Sequence, residues 1–266
     1  MKKEGSLEKA GFFKKNYSLS WKYIKESGNH ILLVIFLLFL GFFIALIFQP
    51  PILIEAVKAF MKSVLIDTSD FNVFEMIIYI LNNNLKNSFF AMFFGIIFGV
   101  MPIFTALSNG YVLGFVSEIA VLGQGPLVLL RLVPHGIFEF PAIILALATG
   151  IKLGFCTFIE PLKKFSKGKT VKISILFILP VLILAFFSLV FYFNSNLIIA
   201  GFFIFLLFLY IFAIFLLLFI PTLIFLDLRA AFLNKLENSL RVFLFVVLPL
   251  LILAAIIEGF LIIFLR

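Results

Sequence analysis

The sequence predicts an all-α fold, a polytopic bundle of about seven transmembrane helices whose third segment is short or broken. Two observations carry this reading. Of 266 residues, 64% are hydrophobic and 40 are Phe, against 13% that are charged. A soluble domain of that composition would expose too much apolar surface, so its solvent is a bilayer. Several apolar runs also reach the ~20 residues needed to cross ~30 Å of hydrocarbon as helix. These runs are continuously apolar rather than alternating, which favours helices over a β-barrel.

The formal net charge of +8 is not a nucleic-acid signal in such a chain. Lys and Arg here report which loops face the cytoplasm, so the predicted partner is the lipid bilayer and no nucleic acid. Cys156 is the only cysteine, which rules out an internal disulfide and a Cys-based metal cluster. The first apolar run begins at Ile31 with no small-residue cleavage site behind it. It reads as a retained span rather than a signal peptide.

Residues 1–30 hold seven Lys against three Glu, interleaved with Phe12, Phe13, Tyr17, Leu19, Trp21, Tyr23 and Ile24. This is a basic amphipathic segment suited to an anionic inner leaflet; the alternative is a partly ordered basic tail. Residues 31–266 read as one helical membrane domain with its core at 82–154. Ile31 to Phe48 is the first span, closed by Gln49-Pro50-Pro51. The segment 52–81, with Glu55, Asp67, Asp70 and Glu75 against Lys58 and Lys62, is mildly acidic and lies on the opposite side. The positive-inside rule then puts the N-terminus in the cytoplasm.

The polar cluster Asn82–Asn87 is predicted to cap the second span, which runs to Leu107. Ser108-Asn109-Gly110 reads as a tight turn. The third segment, Tyr111 to Leu122, is ~18 Å long as helix, short for a crossing. It either continues through Gly123-Gln124-Gly125-Pro126 or stops at a protein-lined discontinuity. Leu127 to Val133 carries Arg131 and ends at Pro134, and the fourth span extends from Ile137 to Ile159. Glu160 to Lys172, with five Lys and one Glu, is a cytoplasmic loop. Ile173 to Phe193 is a fifth span, Asn194-Ser195-Asn196 an external turn, and Leu197 to Leu226 a sixth span. Asp227 to Arg241 returns to the inside, and Val242 to Leu265 is the seventh span, leaving the C-terminus outside.

Three small-xxx-small stripes stand out: Gly95 with Gly99, Gly110 with Gly114, and Gly150 with Gly154. Ala91 and Ala146 extend the first and third. Helices in lipid associate through close backbone approach, so the second, third and fourth segments are predicted to form a tight core.

Polar residues accumulate beside these stripes. His135 and Glu139 fall at i and i+4 on one helical face, with Gly136 between them. They suit a metal site, a proton relay, a cavity lining, or a His–Glu hydrogen bond that pins two helices. A metal needs a further ligand, for which Glu258 and Glu118 are the other intramembrane carboxylates. No H-E-x-x-H pattern is present, and neither a metal nor another cofactor is predicted. Glu118 and Arg131 bracket the Gly/Pro break with opposite charge. Asn83 and Asn84 belong to the capping cluster, Asn109 to the turn, and Lys152 snorkels to the cytoplasmic side. Unpaired charges at membrane depth are costly, so His135 and Glu139 are predicted to touch another segment, either Glu258 or Asn82–Asn87.

The order Asn83-Asn84, Gly95-Ile-Ile-Phe-Gly99, Asn109-Gly110-x-x-x-Gly114, Pro134-His135-Gly136-x-x-Glu139 and Gly150 resembles the stage II sporulation protein M family. Ala254-Ala255-Ile256-Ile257-Glu258-Gly259 looks like that family's C-terminal helix. The resemblance implies a multi-pass protein of the cytoplasmic membrane. Founding members act in engulfment during sporulation, as scaffolds that hold peptidoglycan-degrading partners. It therefore implies a non-enzymatic scaffold, forming a homo-oligomer and recruiting membrane or extracellular protein partners. A channel or transporter using the intramembrane polar residues is the alternative, and an intramembrane enzyme the third reading. No nucleophile motif or phosphate-binding loop accompanies the polar residues.

Overall fold

A computed structural model of the chain describes residues 11–51, 53–55, 57–59, 62, 70–166 and 197–264. Within these the regular elements are helices, and no strand is present. The predicted fifth span and its external turn lie outside the described residues, as do most of 60–69 and the loop 167–172. The side chains of Arg131 and His135 also lie outside them.

The helices are α1 (Phe12–Lys25), α2 (Gly28–Ile47), α3 (Val73–Phe93), α4 (Val100–Gln124), α5 (Val133–Ser166), α6 (Leu197–Ile224), α7 (Leu226–Val242) and α8 (Leu248–Phe264). A π-helical turn, Phe243–Val247, joins α7 to α8. Four of the described helical stretches are long and apolar enough to cross a membrane: Gly28–Ile47, Val100–Gln124, Gly136–Phe158 and Asp227–Ile262.

The path between Asn72 and Gln124 differs from the one the sequence predicts. Helix α3 starts at a capping box: Asn72 Oδ1 accepts from Glu75 N at 3.0 Å, and Glu75 Oε2 accepts from Asn72 N at 2.9 Å. The helix then runs straight through Asn82–Asn87, which caps nothing. An amide face is compatible with a helix when its groups bond along the turn, and Asn87 Nδ2 donates to Asn83 Oδ1 at 3.3 Å. The break falls instead at 94–99, where a 3₁₀ turn leads to Phe98 and Gly99 at φ of 56° and 73°. Left-handed backbone is easy for Gly99 and strained for Phe98, so this turn is fixed by its surroundings. Ser108-Asn109-Gly110 is not a turn but the middle of α4, and the short third segment is the second half of that 25-residue helix.

The described residues group into two compact units. The first comprises residues 1–95, 99–152 and 237–266. Its helices pack where side chains are missing. A Cβ on Gly110 would lie 3.0 Å from Leu38 Cα, one on Gly114 would lie 3.1 Å from Phe42 Cα, and one on Gly41 would lie 3.0 Å from Tyr111 N. Helices α2 and α4 therefore lie in parallel, backbone against backbone. A Cβ on Gly95 or Gly150 would likewise come within 2.8 Å of Gly150 Cα or Met92 Cα respectively. Asn84 bonds Glu139 earlier along both helices, so α3 and α5 also run parallel. The glycine stripes thus make two separate locks, and the Gly110–Gly114 stripe engages the first span, outside the trio predicted. Helix α8 runs antiparallel to α3, with Ala255 packed on Met76 and Ile80 at one end and Phe243 against Phe89 at the other. Between these locks the core is filled by Val34, Ala106, Leu147 and Ile151 on one side and Met92, Ala146, Val247 and Leu251 on the other.

Helix α1 is tied into the same unit. Tyr23 and Ile24 are buried with Val242 and Phe243, while Phe12, Phe13, Tyr17 and Trp21 are exposed. Arg241 Nε donates to Asn16 Oδ1 at 2.9 Å. Lys152, predicted to snorkel, donates to Ser27 Oγ at 3.1 Å, with its ammonium 3.7 Å from the Tyr23 ring centroid and 3.9 Å from the carboxylate of exposed Glu26. An aromatic face, a hydroxyl and a carboxylate together hold this cation against α1.

The second unit comprises residues 96–98 and 153–236. Leu153, Cys156 and Phe232 form its buried centre. Glu160 and Lys235 pair across it, and Thr157 Oγ1 donates to Ile96 O at 2.6 Å, which holds the end of the 3₁₀ turn.

Candidate functional site

Three helix faces that carry polar groups converge in the first unit. Asn83, Asn84, Asn87 and Ser88 recur at i, i+1, i+4 and i+5 on α3 and so share one face. Thr105, Ser108 and Asn109 do the same at i, i+3 and i+4 on α4. From α5 comes Glu139. Together with apolar side chains of α2 and α4 they enclose a cavity of about 460 Å³. Leu38 and Val112 line it from the middles of α2 and α4, which puts the cavity at membrane depth if those helices cross.

Glu139 is the carboxyl of this site. Asn84 Nδ2 donates to its Oε1 at 3.0 Å, joining α5 to the face of α3 that carries the Asn cluster. Both residues are half-buried, Ser88 is buried, and Asn83, Asn87 and Asn109 are exposed, so the cavity communicates with its surroundings. Glu258 on α8 is half-buried and within Coulombic range of Glu139. Its neighbour Gly259 lets α8 approach α3, since a Cβ there would lie 3.2 Å from Ile77 N.

Other sequence-predicted site residues are placed elsewhere. Glu118 accepts a hydrogen bond from Gln49 Nε2, whose amide also donates to Ala45 O at 2.8 Å, so this carboxyl serves the α2–α4 junction. Gly136 is buried, but the atoms a Cβ there would meet belong to the ring of Phe140 in its own helix, and among the described residues no foreign backbone comes within 4 Å of it. Gly154 is buried in the second unit, where its carbonyl accepts from Thr157 Oγ1 at 2.9 Å.

Thr105, Ser108 and Ser88 were not singled out from the sequence. The signal was present: Thr105, Ser108 and Asn109 have helical spacing, but Asn109-Gly110 looks like a turn when read locally. Among the described residues no three His, Cys, Asp or Glu side chains converge as metal ligands do. Chemically, the cavity offers a carboxyl, amides that both donate and accept, and hydroxyls, set against an apolar wall.

Comparison with known proteins adds the family. Over 116 residues the chain is 31% identical to an uncharacterized protein of Methanocaldococcus jannaschii, covering 40% of this chain and 65% of that protein. The chain thus spans a little under two thirds of that relative's length. No solved structure matches it. Residues 30–191, which contain the Asn cluster, both glycine locks and Glu139, match stage II sporulation protein M. The chain belongs to the stage II sporulation protein M family.

Proposed function

We propose that this protein is a non-enzymatic scaffold of the cytoplasmic membrane, which crosses it seven times and holds partner proteins as a homo-oligomer. The observation that carries the reading is the pair of backbone-on-backbone locks, Gly110–Gly114 on α2 and Gly95–Gly150 between α3 and α5. Such contacts cannot slide without clashes, so they suit a rigid platform better than a protein that must rearrange at every cycle. Family membership supports it as well. The seven crossings are the four long apolar stretches, together with α3, α6 and the apolar run 173–193. Basic residues concentrate in residues 1–30 and 160–172, which supports a cytoplasmic N-terminus and an external C-terminus.

Purification of a tagged chain in mild detergent, with identification of the proteins that accompany it, tests the scaffold reading. The expected result is a reproducible membrane or extracellular partner and a mass above that of one chain. A single bare chain in repeated preparations overturns it.

A second reading, passage of a solute, is favoured by one observation: a polar cavity opens among helices of membrane length. Uptake into proteoliposomes that Glu139→Gln abolishes is its distinguishing result.

A further inference from the structure

We infer that the cavity between α2, α3, α4 and α5 is a binding site for an amphiphilic organic cation, a primary ammonium group carried on an apolar chain. The inference rests on the cavity alone, and it holds whether the protein is a scaffold or moves a solute.

Charge is the first argument. Glu139 brings a carboxyl to the wall of the cavity, oriented by Asn84 at 3.0 Å. Among the described lining residues there is no Lys or Arg to balance it. An ionised carboxylate at membrane depth is costly unless it is paired, and a ligand can bring the pairing cation in.

Hydrogen bonding is the second. An ammonium has three donors and no acceptor. Glu139 accepts one N–H, and the amide and hydroxyl oxygens of Asn109, Ser108 and Thr105 offer acceptors from α4 for the others. The exposed amides of Asn83, Asn87 and Asn109 leave this end of the cavity polar and accessible.

Size and shape are the third. About 460 Å³ is far more than a bare inorganic cation fills, because such an ion needs oxygens at ~2–2.6 Å on every side. It falls instead among the pockets of ~300–1,000 Å³ that take small organic molecules. Leu38, Val112, Leu113, Val116, Phe140 and Ile143 form the apolar part of the lining, where a hydrocarbon chain would lie.

The same chemistry has two sources, the headgroup of an aminophospholipid and a free amine. The full chain in phosphatidylcholine nanodiscs is titrated calorimetrically with butylammonium chloride, with empty nanodiscs subtracted. The expected result is saturable binding that 1-butanol does not reproduce and equimolar sodium or potassium does not displace. Binding is expected to weaken roughly tenfold or more in Glu139→Gln, the loss of a charged hydrogen-bonding partner. Asn109→Leu, which leaves the Glu139–Asn84 bond in place, provides a second variant that removes polar lining and is expected to weaken binding too. Repeating the titration with phosphatidylethanolamine in the nanodiscs separates the sources: a lipid headgroup competes with butylammonium, and its failure to compete assigns the site to free amines. Equal binding of butanol and butylammonium, displacement by sodium or potassium, no saturable binding, or both variants binding like the parent chain would each overturn the inference.

Discussion

Asn84 and Glu139 show how one amide can decide the fate of a carboxyl at membrane depth. The Asn84 side chain donates to Glu139 at 3.0 Å across the space between α3 and α5. Removing the donor leaves the carboxyl without that partner, and an unsatisfied buried group costs ~1–3 kcal/mol. Asn84→Ala is therefore expected to lower the melting temperature in detergent. Glu139→Gln, which keeps an acceptor at the same place, is expected to lower it less. The double change Asn84→Ala with Glu139→Ala should recover part of the loss, because neither polar group is then stranded. Melting curves that place all three variants together would mean the bond is incidental. Of this site, the sequence offered Glu258 or the Asn cluster as partner for His135 and Glu139, because polar groups are costly in lipid; the Asn cluster is the one that bonds Glu139. It did not expose Lys152 as an anchor for the N-terminal segment. That role depends on Tyr23 and Ser27 arriving from more than a hundred residues away.

At the level of helices, glycine decides which pairs touch. Gly110 and Gly114 lie on α2 and Gly150 lies on Met92, each with foreign backbone where a side chain would be. Gly123 on α4 has nothing within 4 Å of such a Cβ. Gly110→Leu and Gly150→Leu are each expected to cost ~3 kcal/mol or more through overpacking, and to reduce the folded yield sharply. Gly123→Leu is expected to leave yield and melting temperature near those of the parent chain. Comparable behaviour of all three in size-exclusion profiles and thermal melts would remove the argument for the locks. The stripes themselves were legible, since small residues four apart have one principal use in lipid. Which stripe meets which helix was not, because that depends on a break the sequence disguises. Gly95-Ile-Ile-Phe-Gly99 reads as a packing stripe, yet its second glycine is also where the chain turns at positive φ. Ser108-Asn109-Gly110 shows the opposite error: turn residues persist inside a helix because two of them line the cavity and the third admits Leu38.

For the whole molecule, the helix directions in the first unit constrain the topology without any reference to charge. Contacts of Gly110 with Leu38 and Gly114 with Phe42 make α2 and α4 parallel, and those of Asn84 with Glu139 and Met92 with Gly150 do the same for α3 and α5. The Phe89–Phe243 and Met76–Ala255 contacts make α8 antiparallel to α3. If each of these five helices crosses, the directions alternate along the chain, and α8 begins on the side where α5 ends. The intervening chain must then cross an even number of times. The proposed placement of the two termini on opposite faces agrees with these directions. The start of α2, Lys152 and Arg241 mark one face, and Gln49 with Glu118 marks the other. The proposed orientation, which rests on basic charge, puts the first of these in the cytoplasm. In intact cells carrying a Cys156→Ala background, a cysteine at Lys25 is expected to resist a membrane-impermeant maleimide until the membrane is opened. One at Asp70 should react at once; both positions are exposed, so neither result reflects burial. Reaction of the Lys25 position in sealed cells, or silence of both until permeabilisation, sinks the proposed orientation and with it the order of the seven crossings.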